Sequence, residues 1–277
     1  MTTHRKIAQL LTGVATTDGA GVTLVRVIGQ PDLMDFDPFL LLDAFRSDNP
    51  DDYIAGFPSH PHRGFETVTY LLNGRMRHKD NTGNEGVIEP GGVQWMTAGK
   101  GIVHSEIPEQ KNGLLEGFQL WINLPASHKM TTPAYQEYEA TDIPVEVRPG
   151  TQVRVIAGET SFGTQGPVSQ PLTQPIYLDI TLAADTEFSE IIPGTHNAFI
   201  YVVKGQVTLD SRNLQRDQLA ILGKGQILKL RSHQDGVQIL LIAGQPLNEP
   251  IARGGPFVMN TRDELQQAFS DYQAGRF

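Results

Sequence analysis

Hydrophobic residues in this chain fall in short runs that are rich in β-branched and aromatic side chains. The clearest runs are Thr67–Leu72, Gly117–Ile122, Val153–Ile156, Ile176–Leu182, Phe199–Val203 and Val237–Ile242. Glycine and proline are frequent, with 28 and 18 residues, and turn signals such as Asn73-Gly74 and Lys204-Gly205 separate the runs. Short strands with glycine turns between them are typical of an all-β sandwich or barrel. We therefore predict an all-β fold.

The C-terminal end departs from this pattern and predicts one short α-helix. Thr261 and Glu264 have the spacing of a capping box, in which two side chains satisfy the first backbone N–H groups of a helix. An apolar stripe then recurs at helical spacing, at Leu265, Ala268, Phe269 and Tyr272. Gly275 is placed to end the helix. We expect this helix to cover a sheet face.

A weak internal repeat predicts two domains of similar topology. The segment Glu66–Gly74 resembles the segment Asn197–Gly205, and a glycine turn follows each of them. A pattern of strand and turn that occurs twice in the sequence favours tandem β-barrels. We place the first barrel at residues 1–135 and the second barrel, together with the C-terminal helix, at residues 136–277.

Two short motifs carry candidate metal chemistry, His60-Pro61-His62 and His104-Ser105-Glu106. In each motif the two ligand-type residues are two positions apart, which puts both side chains on one face of a β-strand. If the two strands face one another inside a small barrel, three imidazoles and one carboxylate meet. That ligand set suits a first-row transition metal such as Fe, Mn, Co, Ni, Cu or Zn.

The repeat allows the metal hypothesis to be checked within the sequence. The residues that align with His60, His62, His104 and Glu106 in the second copy are Ile191, Pro193, Val237 and Ile239. A structural requirement of the barrel would keep some histidines in both copies, and the second copy keeps none. We therefore predict that the second barrel binds no metal. His196 and His233 are interpreted as ordinary polar histidines.

Charge and cysteine content narrow the functional classes. The net charge of −9 and the pI near 5.3 argue against direct binding to nucleic-acid phosphates. The chain has no cysteine, which excludes disulfides and leaves only nitrogen and oxygen atoms as metal ligands. No apolar run approaches the length of a membrane span. We expect a cytoplasmic protein without direct contact with nucleic acid or a membrane.

These motifs resemble those of the cupin superfamily, in which His-x-His-x(3–4)-Glu is followed by a second motif that supplies another histidine. The first motif is present as His60-Pro-His62-Arg-Gly-Phe-Glu66, but the expected second-motif histidine is Trp95, and a histidine follows only at His104. That departure is similar to the pirin family. Pirins also carry stretches similar to Asp37–Asp43, Gly56–Tyr70, Gly91–Glu106 and Gly255–Asn260. The resemblance covers nearly the whole chain.

The resemblance implies two tandem cupin domains, each a jelly-roll β-barrel, with one metal in the N-terminal barrel and none in the other. The positions that match the pirin ligands are His60, His62, His104 and Glu106. The general cupin pattern nominates Glu66 instead, and we follow the pirin match because Glu106 shares a strand face with His104. Glu66 is then either a carboxylate that orients a metal-binding histidine or a solvent-facing strand residue.

For several other residues the sequence allows two interpretations. His78 either projects into the barrel near the metal, where it would support the ligands, or is a hydrogen-bonded hairpin histidine. Asp43 is either a buried, paired carboxylate or a turn residue. Trp95 and Trp121 are core aromatics or line a pocket for a flat ligand. The basic stretch 75–79 is either a docking patch for a protein partner or a solvated face.

Carried over from the resemblance, the function is that of a non-haem dioxygenase of the quercetin 2,3-dioxygenase type. It would act with O₂ on a flavonol-like aromatic substrate, using one divalent metal, with Fe(II) expected first and Zn, Mn, Co, Ni or Cu also accepted. Glu106 would be the catalytic base that takes the proton of the flavonol 3-hydroxyl. The alternative is a non-enzymatic, redox-responsive regulator that acts through protein contacts, since nuclear pirins resemble such cofactors. A sugar-isomerase type of cupin is a third possibility, but it does not share the pirin stretches.

Overall fold

The structure, a computed structural model, describes residues 3–110 and 112–277 and consists mainly of β-strands, as the hydrophobic pattern predicts. The strands of the first part of the chain are β1 (Ile7–Thr12), β2 (Val14–Asp18), β3 (Val22–Ile28), β4 (Phe39–Ser47), β5 (Phe57–His62), β6 (Phe65–Asn73), β7 (Met76–Asp80), β8 (Glu85–Ile88), β9 (Val93–Thr97), β10 (Ile102–Pro108) and β11 (Leu115–Asn123). The remaining elements are β12 (Ala134–Tyr138), β13 (Val145–Arg148), β14 (Thr151–Ala157), β15 (Ile176–Leu182), β16 (Glu187–Ile191), β17 (Asn197–Leu209), β18 (Arg212–Gln215), β19 (Gln218–Leu222), β20 (Ile227–Gly244), β21 (Ala252–Gly254), β22 (Phe257–Met259) and the helix α1 (Arg262–Gln273). Short 3₁₀ helices occupy Pro50–Asp52 and Ala126–His128.

The strands divide into two compact units that differ from the predicted boundaries 1–135 and 136–277. The unit called the first barrel below consists of Val14–Ala140 and Leu247–Phe277, and the second barrel consists of Thr141–Pro246 and the described residues up to Gly13. The physical reason is strand pairing at the chain ends. β1 pairs with β19 and so completes a sheet of the second barrel.

The C-terminal segment belongs to the first barrel for a similar reason. The backbone N–H of Val258 donates to the carbonyl of Arg63 at 3.0 Å, and β21 and β22 form a small hairpin against which α1 packs. The helix itself is confirmed, because the Thr261 side chain accepts from the backbone N–H of Glu264 and the Glu264 side chain accepts from the backbone of Thr261. We expected α1 with the second barrel, and by its contacts it groups with the first.

Both barrels share one order of strands, which confirms the tandem cupin topology. The large sheet of the first barrel runs β12-β9-β6-β11-β4-β3-β2, and that of the second runs β1-β19-β17-β20-β15-β14-β13. The central strands β6 and β17 contain the two copies of the sequence repeat. β1 occupies in the second barrel the edge position that β12 occupies in the first.

A smaller set of strands faces the large sheet in each barrel. In the first barrel it is a separate sheet of order β5-β10-β7-β8. In the second barrel β16, the start of β20, the end of β17 and β18 pair in the same order. β17 and β20 therefore run unbroken through both layers, whereas the first barrel uses the separate strands β6 and β7, and β10 and β11.

The interiors of the two barrels differ in polarity. Buried and half-buried positions alternate along β10, so that Ile102, His104, Glu106 and Pro108 all face inward. Most of the interior of the second barrel is an apolar cluster of aliphatic residues and Phe188. No helix within residues 3–110 and 112–277 is both long and apolar enough to span a bilayer.

Candidate metal centre

Two neighbouring strands of the first barrel carry the predicted ligands. β5 and β10 pair in antiparallel fashion, with His104 opposite His60 and Ile102 opposite His62. The register shifts between His104 and Glu106, so that Glu106 lies opposite Phe57. Such irregularities bend a strand and redirect its side chains, and they are frequent beside functional sites. The extra residue lies on β5, so β10 keeps its alternation and Glu106 faces the barrel interior on the same side as His104.

The three histidines converge in space. Their nitrogen atoms lie within 4.8 Å of one another, and Nε2 of His60 is 2.9 Å from Nε2 of His62. The ring centroid of His104 is 4.5 Å from that of His60 and 5.1 Å from that of His62. Imidazole nitrogens that converge at this spacing form a ligand set for a first-row transition metal.

The protonation and hydrogen bonding of these rings fit a metal ion. Burial, with a contribution from His60, lowers the pKa of His104 to about 3, and burial beside His104 and His60 lowers the pKa of His62 well below its ordinary value. Both rings are therefore neutral at pH 7, the form that binds metals. Within residues 3–110 and 112–277, neither ring nitrogen of His104 has a hydrogen-bond partner, although the residue is buried. A bound ion would satisfy a nitrogen that is otherwise costly to bury.

Glu106 lies beside the histidine cluster but outside it. One carboxylate oxygen accepts a hydrogen bond from Thr69 Oγ1 at 2.6 Å, and the other accepts from Gln119 Nε2 at 2.7 Å. The structure thus brings together three of the four predicted ligand residues and holds the fourth on neighbouring polar side chains. Each carboxylate oxygen has two lone pairs, so these bonds leave capacity for a metal ion or a proton.

The two predicted supporting residues are both inside the barrel. Glu66 is fully buried, which rules out its solvent-facing interpretation, and its Oε1 accepts a hydrogen bond from Thr97 Oγ1 at 2.6 Å. His78 is buried opposite Glu106 on β7, and its Nε2 lies 2.8 Å from Oε1 of Glu137. This contact lowers the pKa of Glu137. A role for Glu66 and His78 in orienting the metal ligands stays a prediction.

A cavity of about 630 Å³ opens beside the cluster, and His60, His62 and Glu106 form part of its wall. Much of the remaining lining is apolar and is formed by Leu24, Leu41, Phe45, Phe57 and Trp121. The Trp121 ring centroid is 5.1 Å from that of His62, so this tryptophan faces the cavity, whereas Trp95 is fully buried. Concave sites of this size and composition bind small, largely apolar molecules.

The same cavity has a charged wall. Arg26 donates to both carboxylate oxygens of Asp43, at 2.9 and 2.7 Å, and to Asp18 at 2.6 Å. Asp43 is thus the buried, paired carboxylate of its first interpretation. A second arginine, Arg253 of β21, has its guanidinium carbon 4.9 Å from the centroid of the Trp121 ring and donates to the carbonyl of Leu40 at 2.9 Å.

The C-terminal segment is hydrogen-bonded to the loop that follows β5 and to the side chain of Lys129, which also contacts that loop. Arg63 donates to Asp271 of α1 at 2.7 Å. The buried ammonium group of Lys129 donates to the carbonyls of Gly64 and Val258, at 2.8 and 2.9 Å. Because charge-assisted hydrogen bonds between buried groups are strong, these contacts hold the end of β5 in place next to the histidines.

Strand pairing corrects the residues that were aligned with the histidines in the second barrel. Phe188 stands opposite Leu230 on β16 and β20, as His60 stands opposite His104 on β5 and β10. The aligned position Ile191 is instead exposed. The alignment of the two sequence copies was based on the central strands β6 and β17. It misplaced the equivalents of the histidines because the connection from β16 to β17 is longer than the connection from β5 to β6.

The basic stretch 75–79 is matched by acidic neighbours. Arg75 pairs with Glu89 at 2.8 Å, Arg77 pairs with Glu85 at 2.7 Å, and Lys79 lies 3.4 Å from Glu85. Charges that are already compensated on an exposed hairpin favour the interpretation as a solvated face.

Sequence reasoning missed Thr69, Gln119 and Arg253. Thr69 and Gln119 lie opposite each other on β6 and β11, and only this pairing shows that both reach Glu106. Arg253 is far along the chain from the histidines, in a segment assigned to the other barrel. Its position in an apolar stretch, Ile251-Ala-Arg-Gly-Gly-Pro-Phe257, is the one signal that it is not an ordinary surface arginine.

The fold and the site define a class: two cupin barrels of one topology, with a three-histidine cluster at a cavity in the first barrel. The chain belongs to the pirin family. The Pirin family model matches residues 21–122, and the model of the Pirin C-terminal cupin domain matches residues 177–277.

Individual relatives agree with this assignment. A pirin-like protein of Caulobacter vibrioides is 52% identical over 274 residues, which is 99% of this chain and 99% of that protein. The crystal structure of quercetin 2,3-dioxygenase from Acinetobacter baumannii is 36% identical, covers 99% of both chains and has a TM-score of 0.92. The crystal structure of the bacterial pirin YhhW from Escherichia coli in complex with nickel(II) has a TM-score of 0.69 at 22% identity, covers 86% of this chain and 99% of its own, and shows likeness of fold.

Proposed function

We propose that this protein is a metal-dependent dioxygenase that acts with O₂ on a flavonol-like aromatic substrate. The observation that carries the proposal is the cluster of His60, His62 and His104, of which His60 and His62 lie in the wall of a cavity with an aromatic and aliphatic lining. The similarity to the Acinetobacter quercetin 2,3-dioxygenase supports the substrate class. In this proposal the three histidines and Glu106 hold one divalent metal, with Fe(II) expected first.

The residues of the chain have separate tasks. A metal bound at the histidines would hold the flavonol 3-oxygen and make the substrate electron-rich enough to react with dioxygen, with opening of the central ring and loss of carbon monoxide. Glu106 accepts the proton of the 3-hydroxyl group, because its carboxylate lines the same cavity. Thr69 and Gln119 fix the direction of that carboxylate through their hydrogen bonds. Trp121 and Phe45 cover the substrate and exclude water.

The competing function is a redox-responsive regulator that acts through protein contacts. Such a protein needs an exposed surface that changes with the metal, and a ligand-sized cavity beside the metal serves no purpose in it. The cavity therefore favours the enzyme. The compensated charges of the hairpin at 75–79 also offer little to an acidic or basic partner.

The test is turnover of quercetin by the metal-loaded protein, followed by oxygen uptake and carbon monoxide release. In Glu106→Gln the amide cannot accept the substrate proton, so we expect kcat to fall by about 10²-fold or more, with little change in metal content. Elemental analysis of the same samples measures the metal. Glu85→Gln, which alters an exposed ion pair of the same barrel, is the matched control and should keep full turnover.

Two results would contradict the proposal in different ways. Absence of turnover in the loaded wild type, together with a partner that binds only one oxidation state, would favour the regulator. A Glu106→Gln variant that loses its metal along with its activity would leave Glu106 as a ligand and remove the support for its role as base.

A further inference from the structure

The two arginines of the cavity wall differ in how their charge is compensated. Arg26 is held by two carboxylates, Asp43 and Asp18. Among residues 3–110 and 112–277, Arg253 has no carboxylate within salt-bridge distance, and its hydrogen bond goes to the neutral carbonyl of Leu40. The guanidinium of Arg253 therefore has N–H donors and a positive charge available for a ligand in the cavity. Five donors in a planar fork can satisfy several acceptors at once.

Arg253 and the metal-ligand candidate His62 both lie next to the Trp121 ring in the cavity wall. The guanidinium carbon of Arg253 is 4.9 Å from the centroid of that ring, and the His62 ring centroid is 5.1 Å from it. Stacking on Trp121 and the bond to Leu40 restrict the guanidinium to one orientation, so little freedom is lost when a ligand binds. A flat molecule lying along Trp121 would reach from the histidines to Arg253.

We propose that Arg253 is the specificity residue of this cavity and selects aromatic ligands that carry an acidic phenol at the end remote from the metal-binding oxygen. This inference rests on the proposed function and narrows its substrate class from flavonols in general to polyhydroxylated ones. A guanidinium binds an ionised or strongly polarised phenol oxygen by a charge-assisted hydrogen bond. An unsubstituted ring in the same place would cover this half-buried guanidinium and leave its remaining N–H donors without an acceptor, which is unfavourable.

The experiment compares two ligands on the metal-loaded protein without oxygen, so that binding is measured separately from turnover. Quercetin carries remote phenol groups, whereas 3-hydroxyflavone keeps only the metal-binding 3-hydroxyl. Trp121 lines the cavity, so quenching of tryptophan fluorescence reports the Kd of both. We expect Arg253→Gln to raise the Kd of quercetin by about tenfold or more, which is the usual effect of losing one charged hydrogen bond. The Kd of 3-hydroxyflavone should rise by less than about twofold.

Two further variants separate specificity from a structural effect. Arg253→Lys keeps the charge but loses the planar fork, so we expect its affinity for quercetin to lie between that of the wild type and that of Arg253→Gln. Arg46→Gln, at an exposed arginine of β4 that pairs with Glu116, should bind both ligands like the wild type. A thermal melt of each variant checks its folding.

The proposal is overturned if Arg253→Gln weakens both ligands equally, because that result indicates a structural role. It is also overturned if the wild type binds 3-hydroxyflavone as tightly as quercetin. Failure of the proposed dioxygenase activity has a different signature, in which quercetin binds with the predicted dependence on Arg253 but admission of oxygen yields no carbon monoxide.

Discussion

The two barrels have the same strand order, but their interiors differ in polarity. Where the first barrel places His60 opposite His104, the second places Phe188 opposite Leu230. Phe188 and Leu230 belong to one apolar cluster, whereas His60 and His62 border a cavity. The cupin topology therefore does not need the histidines. In the barrel without them, dense packing occupies the same place.

The two barrels also differ in the continuity of their strands. β17 and β20 run through both layers of the second barrel, and in the first barrel the equivalent strands are interrupted between β6 and β7 and between β10 and β11. Beside His104 the pairing of β5 with β10 is irregular, with the extra residue on β5. The pairing of β17 with β20 also shifts twice, so irregular pairing is common to both barrels and the interruption of the strands is what differs.

The largest expected effect is on metal content. His104→Leu introduces in the first barrel the residue that the second barrel has at the equivalent place, and it removes one of three nitrogen ligands. We expect elemental analysis to find almost no metal in the purified variant, because two histidines hold a divalent ion far more weakly than three.

His128→Gln is the control for this experiment, since His128 is exposed and far along the chain from the cluster. It should keep the metal content of the wild type. Full metal content in His104→Leu would mean that the ion is bound elsewhere, and the contrast between the two barrels would lose its chemical meaning.

The next effect is on stability in the second barrel. Leu230→Ala removes buried methyl groups from the apolar cluster, and we expect a loss of about 2–5 kcal/mol in the free energy of unfolding with unchanged metal content. Denaturant unfolding measures the loss. Ile191→Ala, at an exposed position of the paired strand, should cost less than about 1 kcal/mol. Equal losses would contradict the assignment of Phe188 and Leu230 as the interior pair.

The smallest effect is a pH dependence of the metal-free protein. The pKa of His104 is about 3 in the folded state and near 6.5 when the chain is unfolded, so the unfolded state binds more protons between these values. The free energy of unfolding should therefore fall as pH drops below about 6.5, by about 1 kcal/mol per pH unit for this group. His62, whose pKa is also lowered, adds in the same direction.

Thermal melts of chelated protein between pH 7 and pH 5 would measure this slope. His104→Leu should show a shallower slope than the wild type because one titrating group has been removed. Identical slopes in the two proteins would show that the acid sensitivity arises outside the histidine cluster.

Features that depend on neighbours in the chain could be predicted from the sequence. The spacing of His60 and His62 fixed them on one strand face, and the capping box from Thr261 to Glu264 fixed the start of the helix. The repeat in β6 and β17 predicted two barrels, because the pattern of a central strand survives in both copies. Each of these rests on side-chain periods of a few residues.

Features that depend on pairing between distant segments could not. Glu106 faces the interior as the two-residue spacing predicts, but only strand pairing shows that Thr69 and Gln119 hold its carboxylate. β1 pairs within the second barrel and β21 groups with the first, so the compact units differ from the predicted ranges at both ends of the chain. The choice between two similar sheet edges is made by whole strands that compete for partners, and no local pattern records it.

Strand periodicity and ligand spacing are local properties, so the order of the residues was enough to predict an all-β pirin with two barrels and a histidine cluster in one of them. Which side chains share the cavity depends on how distant strands pair. Thr69, Gln119 and Arg253 meet the site through β6, β11 and β21, and these strands are brought together by backbone hydrogen bonds and burial across the whole barrel.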